Sequence, residues 1–194
     1  EIRDELTKTL YGIWDHIKNK PGHNAENYAL DWIGFLPGKR ESRRLKGDYV
    51  LTENDLGSSR SFPDAVAYGG WDMDVHVAKG ILSKDEEATV WHPVNKVYDI
   101  PYRSLYSVNI KNLFLAGRAI SATHIAFGST RVMGTCAVVG QAVGTAAALA
   151  VNKKLQSVKE VNGCINELQQ TLLKDGCYIP SVKNEDPADL AKKA

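Results

Sequence analysis

The chain has 194 residues, with 24 Lys+Arg against 23 Asp+Glu and a formal net charge of +1. A near-neutral chain has no general electrostatic attraction for nucleic acid or anionic membranes. Its composition, 43% hydrophobic and 24% charged, is that of a globular protein with enough residues to bury a core in one or two domains. The cysteines at 136, 164 and 177 form no C-x-x-C pair, so neither a zinc site nor a dithiol redox motif is indicated. Cys136 reads as a buried small hydrophobe. Cys164 and Cys177 read as unpaired, although an oxidising compartment permits their pairing. No secretory signal pattern is visible, and the compartment stays open.

Apolar residues at Ile2, Leu6, Leu10, Ile13, Trp14 and Ile17 have helical spacing, which predicts an amphipathic helix over 1–20. Pro21-Gly22 ends it. Tyr28 to Leu36 reads as extended chain. Lys39, Arg40, Arg43 and Arg44 make a basic cluster. Nearby acids dilute it and no stacking aromatics accompany it, so it reads as a solvated face rather than a nucleic-acid site. Tyr49-Val50-Leu51 is strand-like. Thr52 then caps a short helix, with Asp55 in the position where a glutamate is usual. Gly57 to Trp71 reads as a long irregular loop. Asp72, Asp74 and His76 alternate, so on a strand they share one face. A metal set and a polar substrate-facing strand both suit that pattern; the lack of a fourth ligand favours the second. Lys79 to Pro93 reads as a connecting segment, and Val97 to Val108 as extended chain.

Asn112 to Val151 organises the rest. Asn112 to Ala116 reads as a buried strand, Gly117 to Ser129 as a loop of small and polar residues. A long uncharged helix is predicted from Thr130 or Arg131 to about Val151. A helix start leaves N–H groups unpaired and carries partial positive charge, which suits a phosphate, a carboxylate or an electron-rich carbonyl. Gly128 would allow close approach, Ser129 or Thr130 would cap, and Arg131 would add a cation. Within the helix, Gly134, Ala137, Gly140, Gly144 and Ala148 fall near one face. Each helical glycine costs roughly 0.8–1 kcal/mol relative to alanine, so a close-packed neighbour is expected there. The run is long enough to span a membrane, but its Gly, Ala and Thr content and Gln141 favour a helix against a sheet. A second helix is predicted over Val158 to Leu173, ended by Asp175-Gly176. The tail from Ser181 has no periodicity and is expected to lack order.

NLFLAGRAISATHIAFGSTRVMGTCAVVGQAVGTAAALA (Asn112 to Ala150) resembles the C-terminal flavin-binding segment of the FAD-dependent oxidoreductase family. That family is related in fold to the glutathione-reductase-like flavoproteins. GKRESRRLKGDYVLTENDL (Gly38 to Leu56), DAVAYGGWDMDVH (Asp64 to His76) and DGCYIP (Asp175 to Pro180) match in the same order. The resemblance covers roughly Leu10 to Pro180.

The resemblance implies an α/β (or α+β) fold and FAD as cofactor. Residues 1–108 would belong to a substrate or cap region, 109–180 to the FAD-binding domain, and 181–194 to a tail. The family's N-terminal Gly-x-Gly-x-x-Gly loop and its βαβ unit have no counterpart here. The expectation is therefore a C-terminal portion of a larger flavoprotein whose partner is the dinucleotide-binding segment. Such a portion alone would bind FAD weakly or not at all. Gly117, Arg118 and Ala119 would lie along the ribityl and pyrophosphate, although relatives often carry an acid where Arg118 stands. Gly128, Ser129, Thr130, Arg131, Val132 and Met133 would face the pyrimidine edge of the flavin. His124 and Arg40 are the implied catalytic candidates, Arg40 by analogy with a Gly-x-Arg turn at the substrate face. The implied chemistry is hydride transfer to or from a small molecule, with no resident metal. Two other classes remain: a lyase-like enzyme acting on a sugar at Tyr68 to His76, and a non-catalytic domain of the same fold.

Overall fold

The computed structural model describes residues 2–38 and 43–189. Arg40 therefore lies outside the described residues. The chain divides into two units, Glu1–Ser42 and Arg43–Ala194.

The first unit is built on helix α1 (Ile2–Asn19), with Asp4 and Glu5 in its first turn and Lys18 in its last. Those signs complement the helix dipole. Gly22, at φ 96°, turns the chain after it. Lys18 Nζ donates to the carbonyls of Ala25, Glu26 and Tyr28 at 3.1, 2.7 and 2.7 Å, which ties the following loop to the helix end.

Among its described residues, the second unit holds two small antiparallel sheets and four α-helices. Strand β1 (Ala65–Gly69) pairs with β4 (Tyr98–Pro101), and β2 (Met73–His76) pairs with β3 (Thr89–His92). Helices are α2 (Glu53–Gly57), α3 (His124–Thr130), α4 (Met133–Asn152) and α5 (Ile165–Lys174). The fold is mixed, as expected. Strand β1 corrects the irregular loop read over 57–71, and β3 lies inside the segment read as a connection. Both strands are short, and β1 is buried along nearly its whole length, so no alternation marks it. The predicted strands at 49–51 and 112–116 shrink to single bridges, Leu51 to Ala122 and Tyr106 to Phe114. The helix read over 158–173 is a 3-10 segment, Val158–Cys164, followed by α5.

The core joins Leu51, Leu56, Val66, Ile100, Leu105, Ile120, Leu168 and Leu172 to three buried tyrosines. A buried phenol needs a partner, and each has one. Tyr98 meets Ser129 Oγ at 2.7 Å, Tyr102 donates to the Val158 carbonyl at 2.5 Å, and Tyr106 donates to Asp48 at 2.8 Å. Burial pushes all three hydroxyls above their ordinary range. The first residues of the tail contact the rest of the second unit. Gln170 donates to the Lys183 carbonyl and accepts from the Glu185 N–H, both at 2.9 Å, and Val182 packs on the core.

The cap read at Thr52 is complete. Thr52 Oγ1 accepts from the Asp55 N–H, and Asp55 accepts from the Thr52 N–H. Burial alone would raise the Asp55 carboxyl. The Thr52 backbone and hydroxyl, Tyr49 and Arg60 together outweigh it and hold the group below its ordinary value. A carboxylate depressed on folding stabilises above its unfolded value, about 3.9, and loses that contribution as pH falls through the folded one. Asp55→Ala is expected to cost about 2 kcal/mol at pH 7, as a lost cap with further bonds does. Urea midpoints of both proteins should draw together as pH falls from about 3.9 towards the lower folded value; a gap as wide at pH 2 as at pH 7 would contradict this account.

A turn and a bare helix start form the candidate site

The stretch read as a loop before the long helix contains α3. Thr123 caps it, accepting from the Ala126 N–H at 3.3 Å and donating to Glu53 at 2.9 Å. The sequence signal was there: a threonine cap directly before His-Ile-Ala-Phe. Its seven residues are too few to show a helical period. As a result α4 begins at Met133, not at 130 or 131.

This shift changes what residues 128–131 do. Gly128 is buried against β2: a Cβ there would lie 2.7 Å from the Asp74 carbonyl oxygen and 3.0 Å from its nitrogen. The missing side chain makes room for a strand. Ser129 bonds the Tyr98 hydroxyl and donates to the Trp71 carbonyl. Thr130 is buried, and its Oγ1 has no hydrogen-bond partner among the described residues. Arg131 pairs with Asp74 Oδ2 at 3.2 Å, donates to the Asp74 carbonyl at 3.0 Å and lies over the Phe127 ring. Its charge is largely answered by that carboxylate. His124 is exposed, in the first turn of α3.

Residues 117–119 and 132–134 do converge on α4. Gly117–Ala119 is a single 3-10 turn packed against α4. Gly117 sits at φ 61° with open space where a side chain would be, a conformation glycine adopts without strain. Burial pushes the Cys136 thiol, in the first turn of α4, above its ordinary value, and the Arg118 charge opposes this in part. No side chain caps α4 at Val132. Of the N–H groups that a helix start leaves without an acceptor, two lie on exposed residues, Met133 (90% exposed) and Gly134, and that of Thr135 lies on a buried one.

The same helix has two faces. Thr135, Val139, Ala142 and Ala146 are buried where α4 packs on β1. Gly134, Ala137, Gly140, Gly144 and Ala148 are exposed, and a Cβ at any of the three glycines would meet nothing within 4 Å. By length and composition alone, α4 is apolar enough to cross a membrane.

The β2–β3 hairpin adds a second set of polar groups. His76 Nε2 lies 3.3 Å from Asp74 Oδ1, and its Nδ1 lies 3.3 Å from Thr89 Oγ1. Asp72 turns elsewhere and accepts from the Val94 N–H at 2.8 Å. Among the described residues, no three His, Cys, Asp or Glu side chains gather as a metal would require. Trp71 and Trp91, each about half exposed, meet edge to face at 6.3 Å.

The fit to a flavin nucleotide divides along these lines. Residues 117–119 and 132–134 offer amides, a cation and room for a flat or anionic group. Residues 128–130 are spent on packing.

No curated protein and no solved structure matches the chain. Residues 1–172 match the model of the family described as FAD dependent oxidoreductase. That match spans both units and reaches into α5, far more than half of the chain, and so the chain belongs to the FAD dependent oxidoreductase family.

Proposed function

We propose that this chain is the C-terminal part of a glutathione-reductase-like flavoprotein and forms one wall of its FAD site. The observation that carries this reading is the uncapped, exposed start of α4 beside the left-handed Gly117 turn. When bound, FAD would supply hydride transfer to or from a small substrate. The amides of Met133 and Gly134 and the Arg118 guanidinium would hold its negative charge, and Gly117 would let it approach. Arg131 contributes less than its sequence position suggests, because Asp74 answers its charge. The exposed small-residue face of α4 would receive the family's dinucleotide-binding segment, and this chain alone would bind FAD weakly or not at all.

The test is the visible absorbance spectrum of the complete native-source protein, with its intact mass from the same sample. A flavin spectrum on a longer chain supports the reading, and a colourless protein of this length defeats it. In the flavin-loaded protein, Arg118→Ala should weaken FAD retention about tenfold, the scale of one charge-assisted contact. Unchanged retention would remove Arg118 from the site.

A further inference from the structure

We propose that residues 112–116 form an open sheet edge that receives one added β-strand, apolar and carrying an acid. Resting on the flavoprotein reading above for its source, that strand belongs to the dinucleotide-binding segment. Hydrogen bonds define the edge. The Leu115 N–H donates to the Leu105 carbonyl at 2.8 Å, and the Ser107 N–H donates to the Leu113 carbonyl at 2.9 Å. These two bonds flank the antiparallel bridge between Tyr106 and Phe114. In such a ladder successive residues turn their backbone groups to opposite sides. Leu113 and Leu115 therefore face residues 105–107, while Asn112, Phe114 and Ala116 face away. The Phe114 N–H and C=O, the Ala116 N–H and the Asn112 C=O have no partner among the described residues. Asn112 and Ala116 are exposed, and Phe114 is half-buried. Unpaired backbone groups along an apolar segment are a template for another strand.

The surface beside the edge suits the same occupant. Phe114, Ala147, Ala150, Val151 and Leu155 line a cavity of about 260 Å³. Ala147 and Val151 continue, within a turn, the exposed face of α4 that carries Gly144 and Ala148. A strand bonded to Phe114 would send alternate side chains into this cavity, beside helix residues too small to hold its backbone off.

Charge narrows the choice of strand. Lys111 and Lys154 also stand in the cavity wall, and neither has an ion-pair partner among the described residues. An acid on the added strand would answer them. A second copy of this chain would not. Paired antiparallel about Phe114, it would bring Lys111 of each copy towards Arg118 of the other, and like charges opposed across strands destabilise the pairing.

Amide hydrogen exchange in this chain and in the complete native-source protein tests the edge. In this chain the Phe114 N–H should exchange at close to the open-chain rate, while the Leu115 N–H is protected. In the complete protein the Phe114 N–H should slow by about 10²-fold or more. Carbodiimide, which joins an ammonium to a carboxylate in contact with it, identifies the occupant. Lys111 or Lys154 should cross-link to an acid of the dinucleotide-binding segment, read by mass spectrometry. Equally fast exchange of Phe114 in both proteins would overturn the added strand. So would protection in this chain alone that rises with concentration, the mark of a second copy. Cross-links from both lysines only to acids of this chain would overturn the source. A protected Phe114 in a colourless complete protein would keep the strand and defeat the flavin reading. A flavin-bearing protein with an unprotected Phe114 would do the reverse, and a complete protein no longer than this chain would overturn both.

Discussion

Gly128→Ala should lower the melting temperature of the protein by about 4–8 °C, although it improves the helix propensity of α3. Two effects oppose each other. Replacing a helical glycine by alanine gains about 1 kcal/mol. Against this, the new methyl group would sit 2.7 Å from the Asp74 carbonyl oxygen, 3.0 Å from its nitrogen and 3.1 Å from its carbonyl carbon. All three are backbone atoms of a paired strand, and none can swing aside as a side-chain tip would. Overpacking costs about 1–3 kcal/mol and sometimes more, and a contact under 3.0 Å with backbone belongs at the upper end, about 3 kcal/mol, so the clash wins by about 2 kcal/mol. At about 2–4 °C per kcal/mol for a domain of this size, that gives the stated drop. The strand must move away from α3, which also lengthens the Arg131 to Asp74 contacts. Differential scanning calorimetry decides the sign. A melting temperature at or above wild type would mean that α3 and β2 are not in the contact described.

The sequence was most legible where structure is local. Helix α1, the Thr52 and Asp55 cap and the body of α4 each depend on residues within a turn or two of one another, and all three form, although Ile2, Leu6 and Ile13 of the stripe expected to be buried on α1 stay exposed. Helix α3 was not legible, because Gly128 and Ser129 have the composition of a ligand-facing loop. Only their tertiary neighbours, β2 and Tyr98, reveal that they serve packing. Strand β1 failed for the opposite reason: Ala65, Val66 and Ala67 are all buried, so period two is erased. The candidate site shows the same division. The open turn at Gly117 and the start of a helix were visible as a pattern. The pairing of Arg131 with Asp74 spans 57 residues, and no local signal announces that the cation is already answered. His76 and Thr89 stand 13 apart, across a hairpin that the chain gives no turn motif to predict.

The same substitution should have the opposite sign at Gly140 and Gly144. Both lie well inside α4, and an added Cβ at either would meet nothing within 4 Å. No clash opposes the propensity gain. The double variant Gly140→Ala/Gly144→Ala should stabilise this chain by about 2 kcal/mol, raising its melting temperature by about 4–8 °C. A helix that leaves so easy a gain unused on its exposed face has a reason outside the residues packed here. In the proposed flavoprotein the reason is close approach: a glycine face lets a neighbouring backbone come nearer than any larger residue would. Leucine at Gly140 separates the two states of the protein. In this chain alone Gly140→Leu should be stabilising, because leucine is a strong helix former and the site is open. In the complete flavin-bearing protein it should release most of the FAD, since a side chain of four carbons would hold the dinucleotide-binding segment off α4. Thermal melts of the chain and flavin retention of the complete protein after gel filtration read the two effects. Full flavin retention by Gly140→Leu would mean that nothing packs on this face, and the proposed docking of the dinucleotide-binding segment on α4 would be wrong.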